Sequence, residues 1–278
     1  EEGEEKHHTR MIHRRDFIDV LTSQLPEGVL QLGHRAEEII DNGDSATVKF
    51  SNGLEETFDI VVGADGIKSR VRALWSDSQP VMQHAHAYRA VIDGSLGEGL
   101  LVDDNLRLYL EAETVRMIYF LPLRHRGENG QISFDITVPH DDTTWNPDVS
   151  KEEVLEMLKN FDERLIRIVE KLDWEQVNQR SAADLDPQDK WNSDAVVLVG
   201  DAAHAMLHHQ GQGANSAVID SGILADCIVE ADTVAEALAL YTAKRKEPAQ
   251  ELQRISRESW NAESAGKTAF PEKEKIDY

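Results

Sequence analysis

Two different periods of hydrophobic and polar positions run along this chain, and the changes between them divide it into segments. From Met11 to Leu25 the residues Phe17, Val20, Leu21 and Leu25 fall on one face of a helix, which Pro26 and Gly28 end. Between Val29 and Val62 short β-prone segments alternate with the turn signals Asp41-Asn-Gly-Asp44 and Ser51-Asn-Gly53, the pattern of a β-meander. Its last member, Phe58 to Gly63, runs into Ala64-Asp-Gly-Ile-Lys-Ser-Arg-Val-Arg72, which reads as a strand turning into a helix. Tyr88–Ile92, Leu106–Leu110, Val115–Leu121 and Gln131–Val138 are β-prone and separated by loops, which predicts a mostly antiparallel sheet.

Helical spacing then returns, with Val154, Leu155 and Leu158 in one helix and Leu165, Ile166, Val169 and Leu172 in the next. Trp174 to Trp191 reads as a strand and a linker. The uncharged run Ala195 to Val199 reads as a buried strand that breaks at Gly200-Asp201 into small residues and a glycine-rich loop. A helix begins near Ala214 and continues through Glu230. A second long helix covers Val234 to Trp260, with Ala237, Leu238 and Tyr241 inward and Lys244, Arg245 and Lys246 outward. The charge run Glu1 to Lys6 and the polar tail after Ala262 read as loose ends.

Composition narrows the function classes. The 278 residues suffice for one large domain or two smaller ones, and a formal charge of −23 argues against nucleic acid or anionic membrane as a partner. Cys227 is the only cysteine and cannot form an internal disulfide. No apolar stretch approaches the roughly 18 residues that a membrane span needs, and no signal-peptide layout is present. The expectation is a cytoplasmic location.

Chemistry concentrates between Val196 and Asp220. Gly211 and Gly213 let the backbone approach a flat ligand, and the amides of the following helix's first turn favour an electron-rich or anionic group there. A strand-turn-helix with glycines for close packing would look similar. The run Gly200-Asp-Ala-Ala-His204 followed by Gly211-Gln-Gly-Ala-Asn215 resembles the second flavin-binding motif of the FAD-dependent aromatic monooxygenases of the salicylate and hydroxybenzoate hydroxylase type.

That resemblance implies an α/β (α+β) fold: an incomplete FAD-binding Rossmann-like domain, residues 1–79 and 176–278, with an inserted, mostly antiparallel substrate domain at 80–175. It implies that Asp201 accepts hydrogen bonds from ribityl hydroxyls and that Gly211, Gln212, Gly213, Ala214 and Asn215 line the pyrimidine edge of the isoalloxazine. Arg14 matches the arginine of an His-Arg-x-x-Leu-like run that reaches FAD. Asp65 and Gly66 match an Asp-Gly motif that contacts FAD and is linked to NAD(P)H handling, with Arg70 as a further candidate. Arg89 and Tyr119 match an arginine that holds a phenolate or carboxylate and a tyrosine that orients the ring oxygen, and His209 is a neighbour of the ring. A surface arginine, a helix-capping aspartate and a half-buried strand tyrosine account for Arg14, Asp65 and Tyr119 equally well as residues.

Two departures stand against the resemblance. The family opens with a βαβ unit bearing GxGxxG, which this chain lacks, and truncation is the expected reason. Within the loop His208 stands where proline is common, and Ile219 stands where an acidic residue is common. The implied function is an NAD(P)H-consuming monooxygenase that hydroxylates a small phenolic or aromatic substrate with O2 through a flavin hydroperoxide. A non-catalytic remnant acting as a binding module is the alternative. A metal hydrolase built on His204, His208 and His209 is a third class, disfavoured because no carboxylate stands at ligand spacing in the loop.

Overall fold

The computed structural model describes residues 12–111 and 116–264; the run Glu1 to Lys6, Met11, Val115 and the tail beyond 264 lie outside the described residues. Helix α1 covers Arg14–Ser23. Strands β1 (Ala36–Asp41), β2 (Ala46–Phe50) and β3 (Glu55–Phe58) form an antiparallel sheet in that order, joined by the two turns at the Asn-Gly dipeptides. Strand β4 (Val61–Gly63) leaves this meander and pairs in parallel with β10 (Val196–Leu198), Val62 lying opposite Val197.

Between them comes the five-stranded sheet, β5 (Val81–Asp93), β6 (Arg107–Leu110), β7 (Met117–Leu123), β8 (Gln131–Pro139) and β9 (Asn178–Asp184), in the spatial order β6-β7-β8-β5-β9. All its pairings are antiparallel. Helices α2 (Lys151–Met157) and α3 (Glu163–Lys171) precede β9. After β10 come the single turn α4 (Asp201–His204), then α5 (Gln212–Glu230) and α6 (Val234–Ser264).

Alternation along the strands decides what each sheet face does. On β7 and β8 the residues Ile118, Phe120, Phe134, Ile136 and Val138 point to one side and join Val154 of α2, Leu158 at its end, and Leu165, Ile168 and Val169 of α3 in one core. Burying such a side chain contributes about 1.5–3 kcal/mol, so this face fixes the register. A second core gathers Val196, Val197 and Leu198 of β10 with Leu224 and Cys227 of α5 and Leu238 and Tyr241 of α6. The opposite sheet face, with Met117 and Ala85, meets Leu207 and Trp260 in a third.

Four readings of the sequence need correction. Val29 to Arg35 forms turns rather than a strand, and the segment Phe58 to Gly63 divides between two sheets at Asp59. Ala64 to Arg72 does not become an α-helix: Gly66 takes φ 82°, and only a 3-10 turn over Arg72–Leu74 follows. Val20 and Leu21 of α1, and Leu25 just beyond it, are exposed. Arg245 is buried rather than outward. Among the described residues no helix is long and apolar enough to cross a membrane.

Candidate functional site

The site forms where the two parallel strands end. Val199 donates its amide to Gly63 at 3.0 Å, so the loops after β4 and β10 leave the sheet side by side. Crevices at the carboxyl ends of parallel strands are where α/β folds take ligands. Gly200 then turns with φ 57° and ψ −141°, and a Cβ there would stand 3.1 Å from Ala217 Cβ, so glycine is needed for both conformation and space. The chain crosses α4 and a loop to Gly211, at φ 67°, from which α5 starts without a side-chain cap. The first-turn amides of a 19-residue helix are thus open to a ligand.

These elements enclose a cavity of about 520 Å³, lined by Ala64, Gly66, Val199, Gly200, Asp201, Met206, Leu207, His208, Gly211, Gly213, Ala214, Ala217 and Ser221. Five of the residues singled out in the sequence, Gly66, Asp201, Gly211, Gly213 and Ala214, therefore meet around one space. Asp201 is open to it, yet the protein around the mouth raises its carboxyl above the ordinary value, against the opposing pull of His204. Gln212 and Asn215 share the first turn of α5 but are not among the lining residues.

The other singled-out residues lie around this centre. Asp65 accepts from the amides of Arg70 at 2.7 Å and Val71 at 3.3 Å, and so shapes the loop that carries Gly66. Arg70 donates to the Glu37 carbonyl at 2.9 Å. Arg14 is exposed at the first turn of α1, outside the cavity wall. Tyr119 donates from its hydroxyl to the His209 carbonyl at 2.8 Å, tying β7 to the loop before α5. Arg89 forms an ion pair with Asp135, its partner in the β5–β8 register.

His208 lines the cavity, His209 beside it does not, and burial holds both imidazoles below their ordinary range. Burial pushes His208 down to about 3, with the Arg89 charge adding to the effect, and burial with the neighbouring His208 brings His209 to about 4. His208 Nε2 lies 3.1 Å from Thr137 Oγ1, and His209 Nε2 lies 3.3 Å from Ser259 Oγ. His204 turns the other way, with Nε2 2.5 Å from Asp220 Oδ2. The three histidines do not converge on a common point.

Beneath the loop lies a network that the sequence reading passed over. Asp220 is fully buried and accepts from the Gly200 amide at 2.8 Å and from Arg245 Nε at 2.7 Å, besides its contact with His204. Burial alone would raise its carboxyl, but the bonds from His204, Gly200 and Arg245 hold it below the usual range. Arg245 also reaches Ser216 Oγ at 3.0 Å. Arg72, 2% exposed, spans the two loops by donating to Ala202 at 2.8 Å and to Ile67 at 2.5 Å. The available signal was spacing: Ser216, Asp220, Leu224 and Cys227 share the buried stripe of α5, as Leu238, Tyr241, Arg245 and Ala249 share that of α6.

The residues present suit a flavin. A Cβ at Gly213 would stand 3.8 Å from Asp201 Oδ1 and 3.9 Å from Met206 Cγ, both cavity groups, so the missing side chain leaves room for a planar ring against the helix. An acceptor at Asp201 and open amides on α5 match a polyol chain and an electron-rich ring edge. Ligand pockets commonly span about 300–1,000 Å³, the range into which this one falls.

Comparison with known proteins agrees. The family model for the FAD binding domain matches residues 17–256. The chain is 31% identical over 255 residues to 6-hydroxynicotinate 3-monooxygenase from Pseudomonas fluorescens, covering 89% of this chain and 65% of that one. It is 32% identical over 276 residues to a salicylate hydroxylase from Pseudomonas putida, covering 89% and 62%. Among solved structures, a salicylate hydroxylase substrate complex superposes with a TM-score of 0.74 at 26% identity, covering 94% of this chain and 68% of the other. Klebsiella pneumoniae HpxO, complexed with FAD and uric acid, shares the fold with a TM-score of 0.76 at 21% identity, over 91% and 62%. The chain thus spans somewhat under two thirds of the length of the first two relatives. With its strand-end crevice, its glycine loop and this match over most of its length, the chain belongs to the FAD binding domain family that includes these aromatic monooxygenases.

Proposed function

We propose that the protein to which this chain belongs is an FAD-dependent monooxygenase that uses NAD(P)H and O2 to hydroxylate a small phenolic or related aromatic ring. The observation that carries this reading is the meeting of Asp201, Gly211, Gly213 and the uncapped start of α5 around one cavity. When bound, FAD supplies the chemistry that no side chain here can, taking electrons from NAD(P)H and activating O2.

The chain's own residues bind, orient and shield. Asp201 would accept hydrogen bonds from the ribityl hydroxyls. The amides of the first turn of α5, from Gln212 to Asn215, would hold the pyrimidine edge, where their partial positive charge would stabilise electron density. Met206 and Leu207 exclude water from the wall they share with His208. Asp65 and Arg70 hold the loop that brings Gly66 to the cavity, and Tyr119 holds the loop that carries His209. The two named relatives act on 6-hydroxynicotinate and salicylate, both hydroxylated aromatic rings, which supports the substrate class.

No GxGxxG occurs in these 278 residues, so the test uses the complete gene product. It is expected to purify with a flavin absorption spectrum and to oxidise NAD(P)H faster when a hydroxylated aromatic compound is added. A protein that is colourless and takes up no FAD on titration would overturn the proposal.

A further inference from the structure

The loop that carries Gly66 is held at its ends by backbone bonds, through Asp65, Arg70 and Arg72, and at its tip by a contact of another kind. Lys68 stands there, exposed, two residues beyond the cavity wall at Gly66. Its Nζ lies 3.8 Å from the centroid of the Trp145 ring. The negative face of an indole attracts an ammonium placed over it in this way. Among the described residues Lys68 has no ion pair, although the chain holds 52 acidic residues against 29 lysines and arginines, so the tryptophan is its partner.

Trp145 is itself fixed. It lies half-buried in the segment between β8 and α2, and that segment is bound along β9. The Ser181 hydroxyl donates to the Thr144 carbonyl at 2.6 Å, and the Ser181 amide donates to the Trp145 carbonyl at 3.3 Å. On the far side of the tryptophan, Arg180 donates to Asn146 Oδ1 at 2.7 Å and the Val149 amide to Gln179 Oε1 at 3.0 Å. Upstream, His86 Nε2 donates to the Asp142 carbonyl at 2.7 Å, and its ring stacks on His140 with centroids 4.1 Å apart. The five-stranded sheet therefore presents the indole, and the loop after β4 reaches it through one lysine.

We infer that Trp145 is a positioning residue for the cofactor: by seating Lys68 it clasps the loop from Asp65 to Val71 to the sheet and keeps Gly66 at the cavity wall. Trp145 does not line the cavity, so it acts on the site through Lys68. This rests on the flavoprotein reading above. A loop that is open part of the time lowers the apparent affinity for the cofactor by the fraction of molecules in which it is closed. At an exposed site a cation over an indole shifts such an equilibrium about two- to fivefold.

The test uses the complete gene product with and without FAD. Trp145→Leu and Lys68→Met each remove the contact, and each should speed amide exchange across residues 64–72, where Asp65 holds the amides of Arg70 and Val71, about two- to fivefold. FAD should bind more weakly by the same factor in a fluorescence titration. The double variant should lose no more than either single one, since both remove one interaction. Trp145→Phe and Lys68→Arg, which keep an aromatic face and a cation, should stay closer to the wild type than Trp145→Leu and Lys68→Met on both readouts. Wild-type exchange and FAD affinity in Lys68→Met, an exposed position where folding is not at stake, would overturn the inference. So would additive losses in the double variant, or equal losses in Trp145→Leu and Trp145→Phe. A complete gene product that takes up no FAD removes the flavoprotein reading and this inference with it, whereas one that binds FAD equally well in every variant removes this inference alone.

Discussion

Removing the carboxylate of Asp220 tests whether the cofactor loop is held from beneath. In Asp220→Ala three donors lose their acceptor at once: Arg245 Nε at 2.7 Å, His204 Nε2 at 2.5 Å and the Gly200 amide at 2.8 Å. Arg245 is only 6% exposed, so its charge is left in the interior without a countercharge, Ser216 Oγ alone remaining to it. Breaking a buried pair in this way costs about 3–5 kcal/mol. With a urea dependence of about 3 kcal/mol per M, the unfolding midpoint should fall by about 1–1.7 M, as followed by far-UV circular dichroism. Replacing both partners, Asp220→Ala with Arg245→Met, removes the stranded charge and should recover most of the loss. The pH dependence has a fixed sign. The carboxyl is held below its unfolded value of about 3.9, so its contribution is complete above that pH and disappears as pH falls through the lower folded value. The wild-type and Asp220→Ala stabilities should converge in strong acid. A single-variant loss under about 1 kcal/mol, or strict additivity in the double variant, would refute the reasoning.

Three further outcomes are expected. Asp201→Ala should weaken FAD binding about 10- to 100-fold in a fluorescence titration of the complete gene product, because hydrogen bonds to a charged group are lost; unchanged affinity would detach Asp201 from the cofactor. Gly213→Ala should fold and gain about 0.5–1 kcal/mol of helix stability, yet bind FAD less well, since the added methyl stands between Asp201 and Met206. Full retention of affinity there would mean that no ring lies against that turn. Tyr119→Phe loses the bond to the His209 carbonyl, worth about 0.5–1.5 kcal/mol, and should speed amide exchange across residues 208–211; equal exchange rates would show that β7 does not anchor the loop.

What could be read from the sequence was local. Asp201, Gly211 and Gly213 sit within 13 residues of one another, so their shared chemistry shows in a single stretch, and the cavity forms around them. Alternation along β7 and β8 likewise marked the sheet, because one face had to be apolar to meet α2 and α3. What escaped was pairing at long range. Nothing in the order of residues brings Arg89 to Asp135, 46 positions away, or Asp220 to Arg245 across two helices. Arg245 was assigned outward because it stands between Lys244 and Lys246, although its spacing from Leu238 and Tyr241 places it on the buried stripe. Composition outweighed periodicity there. The segment after Gly63 misled for another reason. Asp65 is a good helix cap, but its carboxylate reaches forward to the amides of Arg70 and Val71 and closes a loop instead.

The exposed apolar residues have a consequence for handling the protein. Strands β4 and β10 form a sheet of two, Val62 is 43% exposed, and Val20 and Leu21 on α1 and Val218 and Val229 on α5 are exposed as well. Such surfaces attract copies of themselves. A formal charge of −23 opposes that attraction, but only over the distance at which ions leave charge unscreened. That distance shrinks from about 10 Å at 0.1 M salt to about 3 Å at 1 M. The isolated polypeptide should therefore stay dispersed in dilute buffer and turn cloudy in brine.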